Sequence, residues 1–174
     1  MSDLSFLDSV KVQTEAKLNE AREIARSVIG QADGLIVGVN GSFARREATS
    51  GSDLDLFYLF SGNALPVAVE AKQALNDALI KGGFKPPSKG GVFEHPLSMS
   101  ILTENIGGME DKNVTITRRM LLLLEGEWLH NQSAYDDARQ RIVSAYVPDT
   151  VRPDHIALFL LNDVIRYWRT VSGT

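Results

Sequence analysis

The chain has 174 residues, of which 44% are hydrophobic and 23% charged, with a net charge of −4. That length holds one core, or a small α/β domain with a helical appendage, and excludes two large domains. Ordinary composition excludes a disordered or low-complexity chain, the mild acidity argues against a surface devoted to gripping many nucleic-acid phosphates, and the lack of cysteine excludes disulfides, thiolate zinc sites and a thiol nucleophile.

His95, His130 and His155 lie far apart without metal-ligand spacing, so zinc chemistry is not expected. The N-terminus lacks the basic region and apolar core of a signal peptide, and the longest apolar run, Met120 to Leu124, is far too short to span a bilayer. A cytoplasmic protein with no membrane partner is the expectation.

From Ser5 to Ile29, apolar positions including Val10, Leu18, Ala21, Ala25 and Val28 recur near helical spacing. This predicts one long helix or two broken ones, ended by Gly30 and covering one face of a sheet. Asp33-Gly34 is a turn into a first strand, Leu35 to Val39. That strand breaks at Asn40-Gly41-Ser42, where glycine permits a tight exit. Phe43 to Glu47 then reads as a short helix, and a second strand runs from Leu54 to Phe60.

Two carboxylates open that second strand. Because side chains alternate along a strand, Asp53 and Asp55 point the same way while Leu54 and Leu56 turn into the packing. Carboxylates on one face repel and raise each other's pKa, so a fold that keeps them supplies compensating charge from a bound metal or from nearby arginines. Oxygen-only ligands suit magnesium or manganese. The amides after Gly41-Ser42 and the serine hydroxyl are suited to phosphate oxygens.

Beyond the second strand, Ser61-Gly62-Asn63 is a loop and a helix runs from Pro66 to about Lys81, ended by Gly82-Gly83. Pro86-Pro87 excludes a central strand, and Gly90-Gly91 leads into Val92-Phe93-Glu94, a candidate third strand. The stretch from Pro96 to Asn113 carries mixed signals, a short helix followed by a glycine-bearing loop. From Thr115 a helix is expected, with Met120, Leu121, Leu123, Leu124, Trp128 and Leu129 on its apolar face. Arg118 and Arg119 in its first turn oppose the helix dipole, which leaves them a solvated face or a nucleotide phosphate. A further helix spans Ser133 to Tyr146 and closes at Pro148, and the last begins near Pro153-Asp154 and passes through Trp168. Asn162, Asp163 and Arg166 form either an exposed stripe or the far wall of a cleft. The last helix is apolar enough to need cover: it packs back, pairs in a homodimer through the C-terminal helices, or continues into further helices.

Taken singly, Asp-Leu-Asp is a common solvated strand edge and Gly-Ser an ordinary turn. In order, however, Gly41-Ser42-x-Ala44-Arg45-x-Glu47 followed by Ser52-Asp53-x-Asp55-Leu56 resembles the signature of the nucleotidyltransferase superfamily with the polymerase β-type palm, nearest its minimal and aminoglycoside-type members. The resemblance spans Gly38 to Leu59. It implies an α+β fold: a small mixed β-sheet palm flanked by helices over residues 1–112, a C-terminal helical region over residues 113–174, and a cleft between them. It further implies Mg2+- or Mn2+-dependent transfer of a nucleoside monophosphate, first of all AMP from ATP, onto an acceptor hydroxyl with release of pyrophosphate. Metal would be held by Asp53, Asp55 and a third carboxylate on a neighbouring strand. Glu94 falls where that strand is expected, with Glu104 and Asp111 as alternatives. Gly41, Ser42, Arg45, Arg46 and Ser52 would receive the phosphates. The other readings are a nucleotide-binding regulatory module without catalysis, and an enzyme of toxin-antitoxin or tRNA-modifying type. No motif reads a base edge or distinguishes a small-molecule, protein or RNA acceptor.

Overall fold

Leu35–Val39 is an unbroken apolar run, and such a run is stable as a strand when helices cover both of its faces. In the computed structural model, which describes residues 3–85, 91–104, 106–147 and 157–173, it forms β1, a central strand. The elements are α1 (Asp3–Ile29), β1 (Leu35–Val39), α2 (Gly41–Ala44), β2 (Leu56–Phe60), α3 (Leu65–Lys81), β3 (Leu97–Ser98), α4 (Met99–Thr103), α5 (Asn113–Leu124), β4 (Glu127–His130), α6 (Gln132–Tyr146) and α7 (Leu158–Ser172). Among the described residues the strands form one mixed sheet in the order β3-β2-β1-β4. β1 is antiparallel to β2 and β4, and β2 is parallel to β3.

Alternation along the two inner strands divides the core. Leu35, Val37 and Val39 of β1 with Leu56 and Tyr58 of β2 pack under Leu18, Ala21 and Ala25 of α1 and Ala68, Ala71 and Leu75 of α3. Ile36, Phe57 and Leu59 face the other way, against Met99 and Leu102 of α4, Ile116 and Met120 of α5, and Tyr135 and Ile142 of α6. The protein is therefore a mixed α+β sandwich of helices, sheet and helices. Among the described residues no helix is long and apolar enough to cross a membrane.

Several elements differ from the sequence expectation. β2 begins at Leu56 and not Leu54, although Leu54 is buried as alternation requires. Val92 to Glu94 is a turn: the Glu94 amide donates to the Gly91 carbonyl at 3.0 Å, Arg118 Nε donates to the Val92 carbonyl at 2.6 Å, and Lys72 Nζ donates to the Glu94 carbonyl. A segment closed into a turn in this way offers no extended edge, and the third strand forms later, as the two residues Leu97 and Ser98. Trp128 and Leu129, expected on a helix, lie in β4, so the segment after residue 113 contributes a strand to the sheet. Gly126 ends the helical run, and the open edge of β1 takes the next four residues; Arg22 stacks on the Trp128 ring at 4.1 Å.

α5 starts at Asn113, so Arg118 and Arg119 are in mid-helix and not in its first turn. Arg119 is fully buried, pairing with Asp111 at 2.5 Å and Asp163 at 3.2 Å, and its Nε donates to the Tyr146 hydroxyl at 2.7 Å. Asp163 thus anchors α7 to α5 and α6, and Asn162 and Arg166 lie on the exposed side of α7. α7 packs back on the protein through Tyr167 while Leu158, Ile165 and Trp168 face outward. The expected break at Pro86-Pro87, the stop at Pro148 and the helix start at Pro153-Asp154 lie outside the described residues.

Gly38 sits where β1 crosses Phe57 and β4, and a Cβ there would meet the Phe57 ring and stand 2.6 Å from the Glu127 carbonyl oxygen. Neither the strand backbone nor the wedged ring has room to yield. Gly38→Ala is expected to lower unfolding free energy by about 3 kcal/mol, read as a lower urea midpoint with an unchanged slope. A midpoint within error of the wild type would show that the sheet relaxes freely at this crossing.

Candidate functional site

The pairing of β1 with β2 continues one step past the last ladder pair, Val39 opposite Leu56, because the Asn40 amide donates to the Asp55 carbonyl at 2.9 Å. The Leu54 amide donates a hydrogen bond to the Lys85 carbonyl at 3.2 Å, and the backbones of Asp53 and Lys85 form an isolated parallel β-bridge. This extended approach keeps the alternation, with Leu54 buried and Asp53 and Asp55 on the opposite face, both partly exposed. The two carboxylates interact: burial, and then the charge of Asp53, push the Asp55 carboxyl above its ordinary value.

β3 covers only the last two residues of β2, Leu59 and Phe60. The outer edge from Asp55 to Tyr58 is left open to a cavity of about 380 Å³, lined by Asn40, Gly41, Asp55, Tyr58, Lys72 and Glu94 among others. Its walls are largely apolar, from Leu56, Val92, Phe93 and Leu121, with polar groups gathered near Asp55 and along α3. That combination of a greasy body and a few convergent polar atoms is typical of a small-molecule site.

Gly41 has φ +69° and lies so close to Asp55 that a Cβ would stand 3.3 Å from its Oδ2. Glycine is required here twice over, for the left-handed backbone and for the close approach to the carboxylate. Ser42 follows in the short α2 turn and is partly buried, and its carbonyl accepts from the Glu47 amide at 2.8 Å. Ser52 stands on the neighbouring loop, where its Oγ accepts from the Thr49 amide at 3.0 Å.

The two arginines expected at phosphate are engaged elsewhere. Arg45 pairs with Glu47 at 2.9 Å and with Glu125. Arg46, a non-glycine residue at φ +62°, bonds Glu15 of α1 at 2.7 Å and Glu127 of β4 at 2.7 Å. Arg22 bonds the same two glutamates, at 3.0 and 3.3 Å, which closes a ring of two arginines and two glutamates. Burial pushes the Glu15 carboxyl up, but the hydrogen bonds from Arg46 and Arg22 outweigh it and hold that carboxyl below its ordinary value. Such a ring offsets the backbone strain at Arg46 and fixes the glycine turn against α1 and β4.

Of the three candidates for a third carboxylate, Glu94 lines the cavity with Asp55, whereas Asp111 is committed to Arg119 and Glu104 ends α4 outside the cavity lining. Among the described residues, no three Asp, Glu or His side chains gather closely enough to hold a metal ion. Four lining residues were missed by the sequence reading: Asn40, Tyr58, Lys72 and Asn76. Lys72 and Asn76 stand one turn apart on α3, and the Tyr58 hydroxyl donates to Asn76 Oδ1 at 3.2 Å. Their only sequence signal was that i, i+4 spacing beside a strand that opens with two aspartates.

The raised Asp55 carboxyl has a stability consequence. A folded-state value above the ordinary 3.8 favours the protonated form, so the stability it confers is full below that value and is lost as pH rises through the folded one. In the metal-free protein Asp55→Asn is therefore expected to melt higher than the wild type at about pH 7, by about 2 °C or more, with the gap closing towards pH ~4. A variant that melts at or below the wild type at neutral pH would remove the electrostatic cost assigned to Asp55. No protein-family model matches the chain, and the search of curated proteins found no match either.

Proposed function

We propose that the cleft binds a nucleoside triphosphate with a divalent cation and transfers its nucleoside monophosphate to an acceptor hydroxyl, releasing pyrophosphate. AMP from ATP is the first candidate. One observation supports this reading: Asp55, raised by burial and by the charge of its neighbour Asp53, lines a cavity together with Gly41 of the glycine turn. The resemblance of Gly41-Ser42 and Asp53-x-Asp55 to the nucleotidyltransferase signature supports it.

The donor set fits a hard cation, because it consists of oxygens alone and their repulsion is what a bound cation relieves. Asp53 and Asp55 would hold Mg2+ or Mn2+. Bound there, the ion would supply charge neutralisation for phosphate oxygens.

The rest falls to the chain's own groups. Gly41 lines the cavity, and its amide with that of Ser42, the next residue, would receive phosphate oxygens there. Lys72 is the cation that lines the cavity among the described residues, and it is suited to the negative charge that collects on departing pyrophosphate. Arg45 and Arg46 hold the turn in place through their ion pairs with the Glu125 and Glu127 carboxylates. One aspartate accepts the proton of the acceptor hydroxyl. The acceptor oxygen then bonds the α-phosphorus as the bond from that phosphorus to the α,β-bridging oxygen breaks, its electron pair leaving with pyrophosphate. Holding these groups in line supplies most of the rate.

A second reading, a nucleotide-binding module without catalysis, is favoured by the commitment of both arginines to ion pairs and by the missing third carboxylate among the described residues. Pyrophosphate release from ATP with Mg2+ separates the two. Asp53→Asn and Asp55→Asn are each expected to lower turnover by about 100-fold or more. Unaltered turnover in both would end the catalytic reading, and magnesium-dependent ATP binding without pyrophosphate would establish the module. Labelled ATP added with a cell extract then reveals whether the label lands on a small molecule, a protein or an RNA.

A further inference from the structure

Asn40 is 7% exposed, yet its Oδ1 has no hydrogen-bond partner among the described residues. A buried amide oxygen left without a donor costs stability, and this one is free to accept a group that the fold itself does not provide. The oxygen is also not in an arbitrary place. Val39 is paired with Leu56, and the Asn40 amide donates to the Asp55 carbonyl, which makes Asn40 and Asp55 the next cross-strand pair. Directly opposed residues of antiparallel strands carry their side chains on the same face, with Cβ atoms about 5 Å apart. Both residues line the same cavity.

Beside the cavity, therefore, a buried and unpaired neutral oxygen and a carboxylate that has Asp53 as its charged neighbour lie on one face. We propose that Asn40 Oδ1 is the third protein oxygen of the divalent-cation site, completing with Asp53 and Asp55 the set that a third carboxylate was expected to fill. This rests on the cation-dependent reading of the cleft. Amide oxygens are ordinary ligands for hard cations. Glu94 is less suited: it is exposed, and it sits in a turn that Lys72 holds through the backbone carbonyl.

A neutral third oxygen has a functional meaning. It adds a coordination position without adding a third negative charge, so the empty site is less strained and the bare ion is held less tightly. The triphosphate must then contribute its own oxygens, which ties occupancy by the cation to arrival of the nucleotide.

Mn2+ is the probe, titrated into the full chain with free ion read by electron paramagnetic resonance, alone and with a non-hydrolysable ATP analogue. Asn40→Ala is expected to weaken Mn2+ binding about tenfold, and Asn40→Asp, which places a carboxylate at the same point, to tighten it about tenfold without nucleotide. Removing an unpaired buried oxygen should leave the metal-free melting temperature of Asn40→Ala no lower than that of the wild type. If Asn40→Ala does not fold, Asn40→Asp alone decides. Mn2+ affinity within about twofold of the wild type in both variants overturns the assignment and leaves the cleft reading standing. A loss of analogue affinity with Mn2+ affinity unchanged also overturns it, since Asn40 would then contact nucleotide. A wild-type chain that binds no Mn2+ even with the analogue overturns both.

Discussion

The register between β1 and β2 is the constraint from which both core and site follow. With Leu35 opposite Phe60 and Val39 opposite Leu56, one set of side chains is buried beneath α1 and α3 and the alternate set faces α4, α5 and α6. A strand has a period of two, so a slip of one residue would exchange the sets completely. Val37, Val39, Leu56 and Tyr58 forbid that slip, because each is almost fully removed from water where it stands. The same registration carries Asn40, Asp53 and Asp55 to the opposite side. Hydrophobic burial on one face thus positions the oxygen atoms on the other, with no interaction among the polar groups needed to bring them together.

Two further features turn that placement into a cleft. The shortness of β3 leaves the edge of β2 uncovered next to the carboxylates. The ring formed by Arg22, Glu15, Arg46 and Glu127 secures the glycine turn to helix and sheet on its far side. Because the ring contains equal numbers of positive and negative groups, it stabilises the turn without adding net charge beside Asp55. The carboxylate pair keeps its repulsion, and the protein carries that cost within an otherwise well-packed α+β frame.

Much of this was legible in the residues. Unbroken apolar runs bounded by Asp33-Gly34, Asn40-Gly41-Ser42 and Ser61-Gly62 located β1 and β2 within two residues, apolar spacing located α1, and proline, glycine and capping signals located α3 and α6. The common face of Asp53 and Asp55 followed from alternation alone. Long-range pairing was what the sequence could not display. Leu121, Leu124 and Trp128 keep helical spacing across Glu125-Gly126-Glu127, and pairing with the free edge of β1 decides that the end of this stretch is a strand. Arg45 and Arg46 read as phosphate ligands because Glu15, Glu125 and Glu127, distant along the chain, are not visible beside them until the chain folds. Arg119 with Asp111 and Asp163 was hidden for the same reason. Asn40 was overlooked because a turn asparagine before glycine is commonplace, and its significance lies in a burial that composition cannot report.

Glu125 gives the fold a mechanical property. One of its carboxylate oxygens is bonded by Arg45, the residue that follows α2, and the other by the hydroxyl of Tyr167 in α7. A single side chain therefore serves as a hinge pin between the last helix and the segment that leads out of the glycine turn. A displacement of the last helix would therefore reach Arg45 through Glu125 as well as Arg119 and Tyr146 through Asp163.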